Sequence, residues 1–134
     1  MNTMAPIRPA TRHARRILLP AGPAAAAKSR RHVQAAIYAW DVPVDPTVAA
    51  LLTSELVTNA IKHELGDTVM LAITCDCGEF RVDVHDTSLS VPMPVDRPVD
   101  AETGRGLVLV AAMSTHWGCY RTPAGKAVYF TLAF

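Results

Sequence analysis

Glu55-Leu56-Val57-Thr58-Asn59-Ala60-Ile61-Lys62-His63 sets a carboxylate and a carboxamide four positions apart inside an otherwise apolar run. A helix advances about 100° per residue, so positions i and i+4 stack on one face and Glu55 and Asn59 point the same way. Val48, Leu52, Leu56 and Ala60 form an apolar row on the neighbouring face, through which the helix can pack while presenting two oxygen-bearing side chains at its edge. An amide oxygen is a hard ligand suited to magnesium, which keeps several waters and takes its other oxygens from one or two protein groups and from phosphates. A carboxylate one turn away can orient or deprotonate an incoming hydroxyl or water. The same nine residues also describe an ordinary amphipathic helix with Glu and Asn in solvent.

Working outward, Asp45 is suited to cap this helix and Pro46 to occupy its first position, where a missing N–H is harmless; the spacing predicts a helix over 46–64. Upstream, Val33, Ile37 and Trp40 recur at helical spacing among alanines, which predicts a helix from Ala24 to Trp40. Arg16-Ile17-Leu18-Leu19 reads as a short strand ending at Pro20, so residues 1–15 read as a flexible basic tail and 16–134 as a single domain. Downstream the period changes. Val69, Leu71, Ile73 and Cys75 alternate, as do Phe80, Val82 and Val84, with 76–79 as the turn of a hairpin. Arg81, Asp83 and His85 hold the odd positions, so the even ones face the core, and Asp86 falls in the inward phase. Residues 89–103 carry Pro92, Pro94 and Pro98 without a usable period and read as a loop of the kind used as a lid or binding segment. A helix is expected from about Gly106 to Ser114, then a strand pair, Trp117–Arg121 and Lys126–Phe134. This order predicts an α+β fold: a two-layer sandwich of a mixed, mostly antiparallel sheet with helices on one face. The other sheet face is left to solvent or to a partner, a second copy of the chain included.

With 134 residues, 50% of them hydrophobic, 19% charged and a formal charge of +1, the chain belongs to the soluble globular class and offers no polyanion-binding surface. Direct nucleic-acid binding is therefore not expected. No apolar run approaches the roughly 20 residues of a membrane span. Arg15-Arg16 before Ile17–Ala24 superficially resembles a twin-arginine export signal, but Pro20 and Pro23 break the apolar part, which runs straight into a core helix. Cys75, Cys77 and Cys119 lack zinc-ligand spacing and fit a reducing, cytoplasmic setting.

An inward carboxylate such as Asp86 must accept hydrogen bonds. Turn N–H groups or the hydroxyls of Thr87 and Ser88 would serve; so would a ligand's amino group, such as that of adenine, whereas guanine offers a carbonyl at that position. Gly104-Arg105-Gly106-Leu107 opens the helix after the long loop. Its glycines allow close backbone approach, free N–H groups at a helix start favour phosphate oxygens, and Arg105 adds a charge-assisted donor. A lone G-x-G is also a common turn into a helix.

Together these stretches resemble the GHKL ATPases, the group of gyrase, heat-shock chaperones, histidine kinases and mismatch-repair proteins. Within it they resemble the small anti-sigma-factor serine/threonine kinases, especially the actinobacterial ATP-binding regulators. Glu55–Ala60 with Lys62-His63 is similar to the family's N box, Asp86-Thr87-Ser88 to its first glycine box, Thr103–Leu107 with Leu109-Val110 to its second, and Gly125–Phe130 to its closing strand. The resemblance implies a Bergerat fold binding ATP and Mg2+, with Asn59 on the metal, Glu55 as general base, Asp86 on adenine, and Gly104 and Gly106 along the phosphates. It also brings Lys62, His63, Ser88, Arg105, Leu107 and Ala127 to the nucleotide. Ser88 stands where many members have glycine, and Ala127 where a threonine often helps to hold the adenine. The implied partners are a sigma factor and an anti-sigma antagonist, the antagonist's serine being phosphorylated. The alternative is a nucleotide-gated binding module without kinase activity, and a homodimer is compatible with either.

Overall fold

The computed structural model describes residues 12–62, 66–87 and 101–134, with the backbone alone for 101–105. Among them the elements are β1 (His13–Pro20), α1 (Ala25–Ala39), α2 (Pro46–Lys62), β2 (Thr68–Asp76), β3 (Glu79–Asp86), α3 (Ala101–Met113), β4 (His116–Thr122) and β5 (Gly125–Ala133). The strands form one sheet in the order β1-β2-β3-β5-β4. Every neighbouring pair is antiparallel, so the fold is α+β as expected, but the sheet is not mixed. After β3 the chain passes through α3 to the edge strand β4, and a tight turn then returns β5 into the gap beside β3.

All three helices lie on one side of the sheet: α1 packs on α2, α2 on β3 and β5, and α3 on α2. Val69, Leu71, Ile73, Phe80, Val82, Val84, Val128 and Phe130 face them from the sheet, and Val33, Ile37, Leu52, Leu56, Val57, Leu107 and Val110 meet them from the helices. Phe80 and Phe130 are wholly buried; truncating either to alanine is expected to cost about 3–5 kcal/mol. The β2–β3 turn is the two-residue type that suits strand twist. Its central residues Cys77 and Gly78 both take positive φ, 50° and 74°.

Two boundaries differ from the sequence expectation. The first strand begins at His13 rather than Arg16, taking His13, Ala14 and Arg15 out of the expected tail. Trp40, at the end of α1, is the cause: the His13 ring stacks on it at 5.1 Å and the Arg15 guanidinium lies 5.2 Å over it. An aromatic platform from another element gives these polar side chains an inward-facing contact. The third helix begins at Ala101, not near Gly106. Ala101 and Glu102 are strong helix formers, and an internal glycine costs only about 1 kcal/mol relative to alanine, so Gly104 and Gly106 are absorbed into the helix. The expected loop over 89–103 thus ends by residue 100, and its remainder lies outside the described residues. No helix among the described residues is long and apolar enough to cross a membrane.

Candidate functional site

The site begins with how α2 is anchored. Asp45 Oδ1 accepts the N–H of Thr47 at 2.9 Å and faces that of Val48 at 3.5 Å, the cap expected from Asp45-Pro46. The helix then buries Ala49, Leu52, Leu56, Val57 and Ala60. Its small polar residues satisfy themselves: Thr53 Oγ1 donates to the carbonyl of Ala49 and Ser54 Oγ to that of Leu51, each at 2.8 Å. Asn59 behaves differently. It is 6% exposed, and its Oδ1 has no hydrogen-bond partner among the described residues. Such an acceptor is costly unless a ligand completes it.

One turn earlier, Glu55 is half-buried and its carboxylate rests against α3. A Cβ built on Gly106 would lie 2.8 Å from Glu55 Oε2. The glycine is therefore a matter of space: it leaves room for the carboxylate between α2 and α3.

The third part of the site is on the sheet. Asp86 and Lys126 stand directly opposite each other across β3 and β5, in the phase that faces the helices. Asp86 Oδ2 and Lys126 Nζ are 3.6 Å apart, with side chains 0% and 1% exposed. Gly125 lets the strands meet here, since a Cβ on it would lie 2.6 Å from Thr87 Cα. Among the described residues Lys126 Nζ donates no hydrogen bond. The inner surface thus holds an amide oxygen, a base-type carboxylate, and a carboxylate facing an ammonium, each supplied by a rigid element.

Residues 19–132 match the family model described as the histidine kinase-like ATPase domain. The chain belongs to that family. No curated protein matches the chain.

In this ATPase domain Glu55 and Asn59 lie on α2, Gly106 on α3 and Asp86 at the end of β3. Gly104 and Arg105 lie in the first turn and a half of α3, where the leading N–H groups of a helix have no internal acceptor. Leu107 is 2% exposed and belongs to the hydrophobic core. Lys62 is exposed at the end of α2, while His63 and Ser88 lie outside the described residues. Ala127 requires a correction. It pairs with His85 and Tyr120 on the face turned away from the helices, so the residue beside Asp86 is Lys126. Strand alternation is the reason, because consecutive side chains leave opposite faces. The signal was legible: Lys126 shares the phase of Val128 and Phe130.

Among the described residues no group of three His, Cys, Asp or Glu side chains is placed to hold a metal. The donor set fits magnesium held partly by phosphate: Asn59 Oδ1 offers one buried hard oxygen still lacking a partner. Cys75, Cys77 and Cys119 form no disulfide. Burial pushes Cys75 up from the usual thiol range, and the bond to Asp76 does the same for Cys77, so neither is an activated thiolate.

The outer sheet face carries a separate polar network that the sequence reading did not foresee. Arg81 donates to both carboxylate oxygens of Asp83, at 2.8 and 2.9 Å, and the Tyr120 hydroxyl donates to Asp83 Oδ2 at 2.7 Å. The Arg81 guanidinium also lies 4.0 Å over the Tyr129 ring. Two hollows open on this side, of about 420 Å³ beside Leu18, Met70 and His85 and about 320 Å³ beside Arg16, Arg81 and Tyr120. Asp86 also lines the first of them, and Glu55, Asn59 and Lys126 line neither. Buried polar atoms without a hydrogen-bond partner among the described residues occur on the inner face, at Asn59 Oδ1 and Lys126 Nζ, and on the outer face, at Thr131 Oγ1.

Proposed function

We propose that this ATPase domain is an ATP-dependent serine/threonine protein kinase that phosphorylates an anti-sigma antagonist and thereby controls a sigma factor. The observation that carries the reading is the pairing, one turn apart on α2, of a partnerless buried Asn59 oxygen with a Glu55 carboxylate held against Gly106. A domain that only bound nucleotide would have no use for a base beside the terminal phosphate.

In this reading ATP is the phosphate donor. Glu55 accepts the proton of the antagonist's serine or threonine hydroxyl as its oxygen bonds to the γ-phosphorus. The bond from that phosphorus to the β–γ bridging oxygen breaks, and ADP leaves. Asn59 would hold magnesium, whose contribution when bound is to neutralise charge on the triphosphate. The N–H groups at the start of α3, with Arg105, would receive phosphate oxygens. Asp86 would accept from the adenine amine.

Titration of the purified chain with ATP, with and without magnesium and with GTP as control, tests the site. Transfer of labelled γ-phosphate to candidate antagonists tests the activity. Magnesium-dependent, adenine-selective binding with transfer supports the kinase. Binding with no transfer to any antagonist would leave a nucleotide-gated binding module, and no binding would end both readings.

A further inference from the structure

We infer that the outer edge of β1 is a docking site for an acidic, extended segment of a partner protein, which adds to the sheet as a further strand. The inference does not depend on the nucleotide reading and concerns a different part of the molecule.

β1 opens the sheet order and, among the described residues, is paired with β2 alone. An edge strand presents a row of backbone N–H and C=O groups to which another extended chain can bond. Protected edges are commonly very short or broken by a bulge. β1 is eight residues long, and its register with β2 runs without interruption from His13 to Pro20. Its first half is also anchored, since His13 stacks on Trp40 at 5.1 Å and the Arg15 guanidinium lies 5.2 Å over the same ring. A partner therefore meets a strand already in place, which lowers the ordering cost of binding.

Charge decides the occupant. Residues 12–20 carry three arginines and no carboxylate. Arg15 is turned to Trp40, while Arg12, Ala14, Arg16 and Leu18 share the other phase of the strand. Arg12 and Arg16 are exposed, and no ion pair holds either among the described residues. Leu18, 66% exposed, adds an apolar contact at the end of the row. A second copy of β1 fits badly. Antiparallel registers centred on Ala14, Arg15 or Arg16 set Arg12 against Arg16, Arg15 against itself or Arg16 against itself, and like charges directly opposite are destabilising. Carboxylates at those positions reverse the sign and form charge-assisted bonds with guanidinium, so the row that repels a copy selects an acidic strand. Asp83 does not compete for the arginines, because Arg81 and the Tyr120 hydroxyl already bond it. The hollow of about 320 Å³ lined by Arg12, Arg16 and Arg81 leaves room for an acidic side chain. Two guanidiniums suit a segment with a few carboxylates rather than a nucleic-acid backbone, which is held through many phosphate contacts.

The test titrates the full chain with a capped eight-residue peptide alternating glutamate and valine, and with its lysine counterpart, following amide resonances and hydrogen exchange. The glutamate peptide is expected to bind, with shifts and protection centred on β1 and an affinity that falls as salt rises. Arg12→Glu combined with Arg16→Glu changes exposed positions alone. That variant should bind the glutamate peptide on the order of tenfold or more weakly and should gain binding of the lysine peptide. If it does not fold, the parent's preference between the two peptides decides. Equal binding of both peptides by the parent, binding of neither, or shifts centred away from β1 overturns the proposal. So does β1 protection that rises with the chain's own concentration and is not displaced by peptide, which would assign the edge to a second copy.

Discussion

Glu55 Oε2 lies 2.8 Å from the point where a Cβ on Gly106 would stand. The atom in the way is the end of a flexible side chain, so Gly106→Ala is expected to turn the carboxylate aside without breaking the α2–α3 contact. Alanine also favours the helix by up to about 1 kcal/mol. The melting temperature should hold or rise, while phosphotransfer falls by as much as about a hundredfold through misplacement of the base. A thermal melt and a transfer assay on one preparation check both halves; unchanged transfer would remove Glu55 from the chemistry.

Among the described residues no group hydrogen-bonds the Asn59 side-chain oxygen. Asn59→Ala is therefore expected to cost no more than about 1 kcal/mol of stability in urea unfolding. Its effect should appear in the titration, as loss of the magnesium-dependent part of ATP affinity. Retained magnesium dependence would take Asn59 out of the site.

Removing Asp86 takes away the carboxylate that faces the buried Lys126 ammonium at 3.6 Å. Asp86→Ala should destabilise the domain by about 3–5 kcal/mol, a large share of the roughly 5–15 kcal/mol typical of a domain. Adding Lys126→Met should recover most of that loss, because the two changes share one interaction. Denaturant unfolding of both singles and the double measures the coupling, and additive losses would show that the pair does not interact.

The outer face predicts two pH dependences of opposite sense. Burial, then the bond to Asp83, pushes the Tyr120 hydroxyl up to about 12 from the ordinary 10.0. The folded state therefore holds this proton more tightly, and the associated stability is complete below pH 10 and lost between about 10 and 12. Burial, then repulsion by Arg16, lowers His85 from its ordinary 6.5. The unfolded chain then binds this proton more readily, so its contribution is present above pH 6.5 and declines as pH falls through the folded value. Absorbance of the phenolate and proton resonance of the imidazole follow the two groups. A Tyr120 titrating at its ordinary value in the folded protein would refute the Asp83 bond.

The start of α2, the cap at Asp45, the hairpin and the inward phase of Asp86 are all legible in the sequence, each resting on a period or turn signal within a few residues. The early start of α3 was not, since two glycines near its beginning read as a boundary when flanking propensity and packing of Leu107 and Val110 outweigh them. Nor was the extension of β1 to His13, which depends on Trp40 from the end of another helix.

The sequence by itself determined where α1 and α2 lie, which strands have an apolar side, and that Glu55 and Asn59 share an edge, because backbone geometry imposes those periods locally. Only the tertiary structure decided which charges meet. Asp86 faces Lys126 because β5 enters the sheet beside β3, and Glu55 rests on Gly106 because α3 packs on α2. Those contacts depend on register and layer order between distant segments, which are set by packing of the whole core and leave no period along the chain.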